Sequence, residues 1–493
     1  MAIVLHNSLT RRKEPLVTVQ PGKVGMYVCG VTVYDRSHLG HAKSAINFDL
    51  IVRWLRYRGY EVKHVTNFTD VDDKIIARAN EMGIDPLMLS SDMIREYERD
   101  MHKLKVKKAD VYPKASETMP EIIAMVKGLV DKGFAYESHE SVYFSVKKAV
   151  EYGKLSGQSL DQMVAGARIE VDEEKHDPMD FALWKAAKPG EIAWDSPWGK
   201  GRPGWHIECS AMCLKHIGPT VDIHGGGTDL VFPHHENEIL QSEAYNEKQF
   251  TKYWMHNGML TIGEEKMSKS LKNFFTIQDI LAKYKPEVVR FFVLNATYSA
   301  PLVFDEDSLE ESRKALEKLN NAYDAALFTL DKAKGDDDAS RLCDEAWKKV
   351  EERLDDDFSS REAIATMFDF ARETNRLIGD SRLSKKGAEN VVQTFDRFNS
   401  IFDVLIKERQ TFVTVPESAG TRDEVTVVRT GLSLDNVTKE ELADDGRVKV
   451  WVEERSRARK TKDFAYADQI RKRLAELGIE IQDTKEGAGW KRK

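Results

Sequence analysis

Residues 25–66 carry the pattern that most restricts this chain: an apolar run, a polar loop, an amphipathic stretch, then an alternating run. Gly25-Met-Tyr-Val-Cys29, closed by Gly30, predicts a buried strand. A helix is expected from near Leu39 to Gly59, because Ile46, Leu50, Val52 and Trp54 fall at helical spacing. Tyr60 to Thr66 alternates like a second strand. This β–loop–α–β order is the unit of a parallel, doubly wound α/β sheet, and such sheets bind ligands just beyond the carboxyl ends of their strands.

The string His38-Leu-Gly-His41 lies at that position, at the start of the expected helix. Backbone N–H groups at a helix N-terminus suit an anionic polyphosphate. Far downstream, Lys266-Met-Ser-Lys-Ser270 offers two ammonium groups beside hydroxyls, able to follow charge as it develops on a leaving pyrophosphate. Either string alone is a weak signal; together they describe a site for a nucleoside triphosphate.

At 493 residues the chain is too long for one core, so several domains are expected. With 41% hydrophobic and 32% charged residues it has the composition of a globular protein, and no apolar run is long enough for a membrane span. The N-terminus does not resemble a secretory leader, and four dispersed cysteines do not make a disulfide framework, so a reducing cytoplasm is expected. The net charge of −8 argues against indiscriminate polyanion binding, yet Trp451 to Lys493 holds 12 Lys/Arg against 8 Asp/Glu. That basic end suits local contact with nucleic acid, or is simply a solvated helical face.

Helices are expected over Met88–Leu104 and Thr118–Asp131, and a hairpin over Phe134–Val146. Residues 117–203 read as an insertion between two halves of the sheet domain, 1–116 and 204–250. Within the second half, Val221–His224 reads as a strand, Gly225–Gly227 as a turn, Pro233–Asn246 as a helix and Thr251–His256 as a strand. Residues 251–304 form the region around the lysine string. Residues 305–410 show helix-bundle periodicity, 411–446 read as linker, and 447–493 as a small α+β domain that is helical and basic, then a final strand or hairpin.

Gly225-Gly226-Gly227-Thr-Asp229 lets backbone approach a planar ligand, with Asp229 able to accept from an amine or a ribose hydroxyl; a plain glycine turn explains it equally well. His234 and Glu238 are four apart and share a helix face, a spacing that suits zinc or an ordinary surface pair. Cys29, at the end of the first strand, and Cys209, at a helix start, fall in the same crevice by the fold argument. They complete a four-donor set, with Cys213 as a competing ligand or a buried small residue.

Taken with Cys29 to Asp35, Asn67 to Lys74, Gly204-Trp-His-Ile-Glu-Cys209, His224 to Leu230 and Phe232 to Glu238, these strings occur in the order found in class I aminoacyl-tRNA synthetases, and the chain resembles the cysteinyl-tRNA synthetase family. The resemblance spans roughly the first 300 residues; the last third matches mainly in layout and over Gly478–Trp490. Small departures are Val31 for Pro, Leu39 for Ile and Lys43 for Arg. The resemblance implies a Rossmann-like catalytic domain, then a helical tRNA-binding bundle and a C-terminal anticodon-binding domain. It implies that L-cysteine and ATP form cysteinyl-adenylate and that cysteine tRNA accepts the cysteinyl group. His38, His41, Lys266 and Lys269 would serve catalysis, and Gly40, Gly226, Gly227 and Asp229, with His38, His41 and Lys269, would bind ATP. Gly30, Thr32, Thr69 and Trp205 would line the cysteine pocket. Cys29, Cys209, His234 and Glu238 would hold one Zn2+, and Mg2+ would accompany ATP. A cytoplasmic monomer is the family default. Two alternatives remain: a cysteine ligase acting on a small amino-sugar acceptor, as in mycothiol synthesis, and a non-catalytic tRNA-binding relative.

Overall fold

The computed structural model describes residues 2–148, 152–157, 174–262, 265–266, 275–330, 332–406, 445–460, 464–484 and 487–492. Two compact units result, residues 1–405 and 406–493. Strands β1 (Val4–Asn7) and β2 (Arg12–Pro15) pair at the N-terminus, ahead of β3 (Lys23–Thr32), α1 (Leu39–Tyr57) and β4 (Glu61–Thr69). The expected strand–helix–strand unit is present, with both strands longer than their apolar runs.

Helices α2 (Asp73–Met82), α3 (Pro86–Lys103) and α4 (Met119–Asp131) follow. Next come β5 (Ala135–Ser138) and β6 (Ser141–Phe144), then β7 (Phe181–Ala186), β8 (Trp194–Ser196) and β9 (Gly199–Pro203). These five form an antiparallel sheet ordered β5-β6-β7-β9-β8, so the insertion carries a sheet of its own. The chain returns through α5 (Trp205–His216), β10 (Val221–Gly227), α6 (Glu236–Asn246) and β11 (Thr251–Asn257).

The central parallel sheet has the order β11-β10-β3-β4. From β3 the chain moves outward to β4, and after the insertion it re-enters on β3's other side. The strand order therefore reverses between β3 and β10, which opens a crevice at their carboxyl ends. Cys29 and Gly30 sit there, where the β3–β4 register shifts between Val28 and Val31. A bulge of this kind re-aims side chains at a strand end. Strand β11 extends this sheet past residue 250, where the sequence places the edge of the second half.

The glycine turn expected at 225–227 is instead the end of β10, which ladders onto β11 through Gly225, Gly226 and Gly227. The glycines answer close packing: a Cβ at Gly225 would meet the Phe48 ring, and one at Gly226 the His235 ring at 2.7 Å. The helix expected from Pro233 begins as regular α-helix only at Glu236, after a wide turn over Val231–His235 in which Phe232 is extended.

Short strands β12 (Leu260–Ile262), β13 (Glu265–Lys266) and β14 (Leu302–Phe304) form a three-stranded sheet, with α7 (Ile277–Lys283) and α8 (Pro286–Leu294) between β13 and β14. Helices α9 (Glu306–Thr329), α10 (Ser340–Asp355), α11 (Ser360–Gly379) and α12 (Lys385–Phe402) pack as the expected bundle. One apolar core joins α1's face of the central sheet to this bundle, through residues such as Trp54, Phe291 and Phe398. A second core fills the opposite face and the insertion, through Trp184, Ile207 and Trp254.

The second unit contains α13 (Asp445–Lys460), α14 (Phe464–Glu476) and the hairpin β15 (Ile479–Thr484)–β16 (Gly487–Arg492), around Trp451, Ile470 and Ile479. The expected linker 411–446 lies outside the described residues up to Asp445. No described helix is long and apolar enough to cross a membrane.

Candidate active site

At the reversal of strand order lies a cavity of about 410 Å³. Its wall includes Cys29, Gly30, Thr32, His38, Gly40, His41, Thr69, Trp205, Cys209, Gly227, Asp229 and His234. Gly226 lies behind Gly227 on β10, against the His235 ring. Lys266 is placed by its backbone on β13, opposite Thr261. Lys269 lies outside the described residues.

The start of α1 is capped by its own histidines. His38 Nδ1 accepts from the Gly40 N–H at 3.1 Å, and His41 Nδ1 accepts from the His38 N–H at 3.4 Å. The two rings stack with centroids 3.7 Å apart. An imidazole accepting at Nδ1 carries its proton on Nε2, so each ring keeps a donor at Nε2. Gly40 is needed because a Cβ there would meet the His38 ring at 2.9 Å.

The four proposed metal ligands come together from β3, α5, the wide turn before α6, and α6 itself. Cys29 Sγ is 3.9 Å from Cys209 Sγ, 3.6 Å from His234 Nε2 and 3.5 Å from Glu238 Oε1. Cys209 Sγ is 3.6 Å from His234 Nε2. Around tetrahedral zinc, bonds of about 2.3 Å to sulfur and ~2.0 Å to nitrogen separate two sulfurs by ~3.8 Å and sulfur from nitrogen by ~3.6 Å. The thiols and imidazole already stand at those separations. His234 Nε2 and Glu238 Oε1, 2.9 Å apart, are closer than two metal ligands and need to part by a few tenths of an ångström.

The electrostatics suit a cation as well. Burial pushes the Glu238 carboxyl well up. Burial, reinforced by Cys209 and Glu238, does the same to the Cys29 thiol, whose hydrogen bond draws Cys209 down to about 7. Glu238 Oε2 is buried with no hydrogen-bond partner. Acidic groups held dry and close together gain a partner for their ionised forms from a divalent ion. His234 Nδ1 meets His206 Nδ1 at 2.9 Å, which directs Nε2 towards the thiols, and the Trp205 ring stacks on His234 at 4.2 Å.

Cys213 joins none of the metal-capable groups among the described residues; it is buried in the second core. Sequence reasoning missed His224, whose Nε2 lies 3.4 Å from Cys29 Sγ and 3.5 Å from Glu238 Oε2. It also missed His206, His235 and His256, although His206, His224 and His235 stand inside the matched strings. Their burial, with burial lowering the pKa of each, was the signal no local pattern carries.

Three family models match the chain. Residues 15–314 match the class I (C) tRNA synthetase catalytic domain, 349–406 the DALR domain, and 448–490 the cysteinyl-tRNA ligase anticodon-binding domain. Solved structures share the fold. The methionyl-tRNA synthetase of Mycobacterium tuberculosis with methionyl-adenylate aligns with TM-score 0.59 at 12% identity, covering 77% of this chain and 89% of that one. A leucyl-tRNA synthetase ternary complex from Agrobacterium radiobacter gives 0.60 at 12%, covering 78% and 84%. The catalytic-domain match over residues 15–314 makes the chain a class I aminoacyl-tRNA synthetase, and its reversed parallel sheet is consistent with that class. Curated cysteine–tRNA ligases of Halalkalibacterium halodurans and Geobacter sulfurreducens are 47% and 46% identical, each over 100% of both chains. The chain belongs to the cysteine–tRNA ligase family.

Proposed function

We propose that this site activates L-cysteine and passes it to cysteine tRNA. The cysteine carboxylate attacks the α-phosphorus of ATP, and the bond to the bridging oxygen breaks. Pyrophosphate leaves and cysteinyl-adenylate remains. A hydroxyl of the terminal tRNA ribose then attacks the acyl carbon and AMP departs. The observation that carries this reading is that the capped start of α1 and three of the four donors, Cys29, Cys209 and His234, line one cavity, with Glu238 buried against them.

His38 and His41 would stabilise the triphosphate through Nε2, with Gly40 allowing close approach. Lys266 and Lys269 would hold the pyrophosphate side, with Mg2+ between phosphates. Gly226, Gly227 and Asp229 would frame the adenosine or the amino group. Gly30, Thr32, Thr69 and Trp205 would line the cysteine pocket. Cys29, Cys209, His234 and Glu238 would hold Zn2+. When bound, zinc supplies a soft Lewis-acid position at which a thiolate is a far better ligand than a hydroxyl. Pocket shape alone gives about 1–3 kcal/mol between substrates differing by so little, which is too small for accurate decoding. The chain would work as a cytoplasmic monomer, with 305–410 and 447–493 gripping tRNA.

Pyrophosphate exchange with cysteine and with serine, before and after zinc removal, followed by charging of a cysteine tRNA transcript, tests the proposal. Exchange with cysteine only, lost on chelation and followed by charging, is the expected result. Equal exchange with serine would sink the role given to zinc. Exchange without charging would return the small-acceptor ligase, and no exchange the binding relative.

A further inference from the structure

Lys43 lies on α1 two residues beyond His41, and its side chain is 1% exposed. Its Nζ donates to three carbonyl oxygens: Gly258 at 2.5 Å, Ala300 at 2.9 Å and Tyr298 at 3.2 Å. An ammonium has three N–H donors, and each has an acceptor here. Burial draws its pKa down to about 8.

The three carbonyls belong to two segments that meet beside α1. Gly258 N–H donates to Tyr298 O at 2.9 Å, and Leu302 N–H to Met259 O at 2.9 Å. A Cβ at Gly258 would run into the Ala300 carbonyl, so only glycine lets these segments meet. Two residues past Gly258 begins β12, and two past Ala300 begins β14; the two strands pair in parallel. Strand β12 pairs with β13, which carries Lys266. The sheet that carries Lys266 is thus rooted on one buried side chain of α1.

The other end of the lysine-string segment returns to the same helix. Thr276 bridges His38, and Ile277 N–H donates to Ser37 O at 3.0 Å. Asn257, just before the cage, donates to Ser44 Oγ at 3.0 Å and accepts from Asn47 at 3.1 Å. Residues 257 and 277 therefore bracket the lysine string and are both fastened to the histidine-bearing helix.

We propose that Lys43 is a positioning residue that sets the lysine string in register with His38 and His41 across the triphosphate. This rests on the role given above to Lys266 and Lys269. All three Nζ donors of Lys43 are engaged by carbonyls, so it acts through Gly258 and Ala300, next to which the strands of that sheet start. A divergence of about 1 Å between the strings would cost on the order of a hundredfold in rate. No carboxylate lies on the facing segments 257–262 or 295–301; Tyr298 is their one titratable group, and on α1 the nearest is His41.

Full-length Lys43→Met, Lys43→Gln and Lys43→Arg, with Lys269→Ala as reference, test this by pyrophosphate exchange. Lys43→Met and Lys43→Gln are expected to raise the KM for ATP about tenfold or more and lower kcat, with the KM for cysteine within about twofold of wild type. Lys43→Arg, which keeps donors for the three carbonyls, should restore most of the loss. Wild-type exchange should weaken as pH rises through about 8, where Lys43 loses one donor, and Lys43→Arg should abolish that alkaline limb. The proposal is overturned if Lys43→Met behaves as wild type while Lys269→Ala is impaired. It is equally overturned if Lys43→Met raises both KM values alike, or if arginine rescues nothing. A normal Lys269→Ala would instead overturn the role of the lysine string itself.

Discussion

His256 has both ring nitrogens engaged, Nδ1 with Ser8 Oγ at 2.8 Å and Nε2 with His235 Nδ1 at 2.9 Å. Burial holds its pKa down to about 4, against 6.5 for a free imidazole. The unfolded chain therefore binds more protons between those values, and stability falls as pH drops from about 6.5 to about 4, by roughly 3 kcal/mol for this residue. Urea midpoints measured across that range should decline less steeply for His256→Gln; identical slopes would refute the assignment. Gly30 gives a second residue-scale test. Its N–H donates to Asn67 Oδ1 at 2.9 Å, and a Cβ would run into the Asn67 carbonyl. Gly30→Ala should cost about 1–3 kcal/mol of stability and weaken cysteine binding by shifting Cys29. The sequence marks Gly30 as a strand end, but not its neighbour Asn67, because that contact is made only when β3 and β4 pair.

Helices were the legible elements. Apolar residues at three-and-four spacing placed α1 to within a few residues and marked 305–410 as the bundle that its four helices form. The three strands between Phe181 and Pro203 were not legible, since two span five residues or fewer and their Trp, Gly and Pro content reads as loop. The wide turn before α6 was hidden too, yet His234 and Glu238 still meet, because their contact survives a local widening of the helix. The cap of α1 joins the element to its chemistry: His38 both ends the helix and offers Nε2 to the cavity. Asparagine is a good cap without that donor. His38→Asn should hold the melting temperature near wild type while pyrophosphate exchange drops about a hundredfold or more. A melting loss matching the activity loss would make His38 merely structural.

Across the first unit, Arg290 joins three parts of the chain. Fully buried on α8, it reaches Asp49 of α1 at 2.9 Å, Phe402 O at the end of α12 at 3.0 Å and Leu104 O at 3.1 Å. Asp49 also pairs with Arg53 at 2.9 Å, and Arg53 with Asp403 at 3.3 Å. Removing one partner from such a cluster costs about 3–5 kcal/mol, so Arg290→Ala should lower the denaturant midpoint sharply. Nothing in the local sequence announced this network or the Lys43 cage, because the acceptors lie up to 350 positions away. The second unit has its own core, and deleting Val448–Lys493 should spare adenylate formation while impairing tRNA charging. Equal loss of both would refute a separate role for it.

Holding zinc as proposed, the four-donor set would also change the topology of the chain. Cys29 and Cys209 are 180 positions apart, with the whole insertion between them. An ion gripping both closes that span as a clasp closes a necklace. Closing a free loop of that length costs roughly 4–5 kcal/mol of chain entropy. Once folding has met that cost, a bound ion makes reopening slow. Chelation should then accelerate unfolding as well as silence the site, a difference that unfolding kinetics with and without chelator will show.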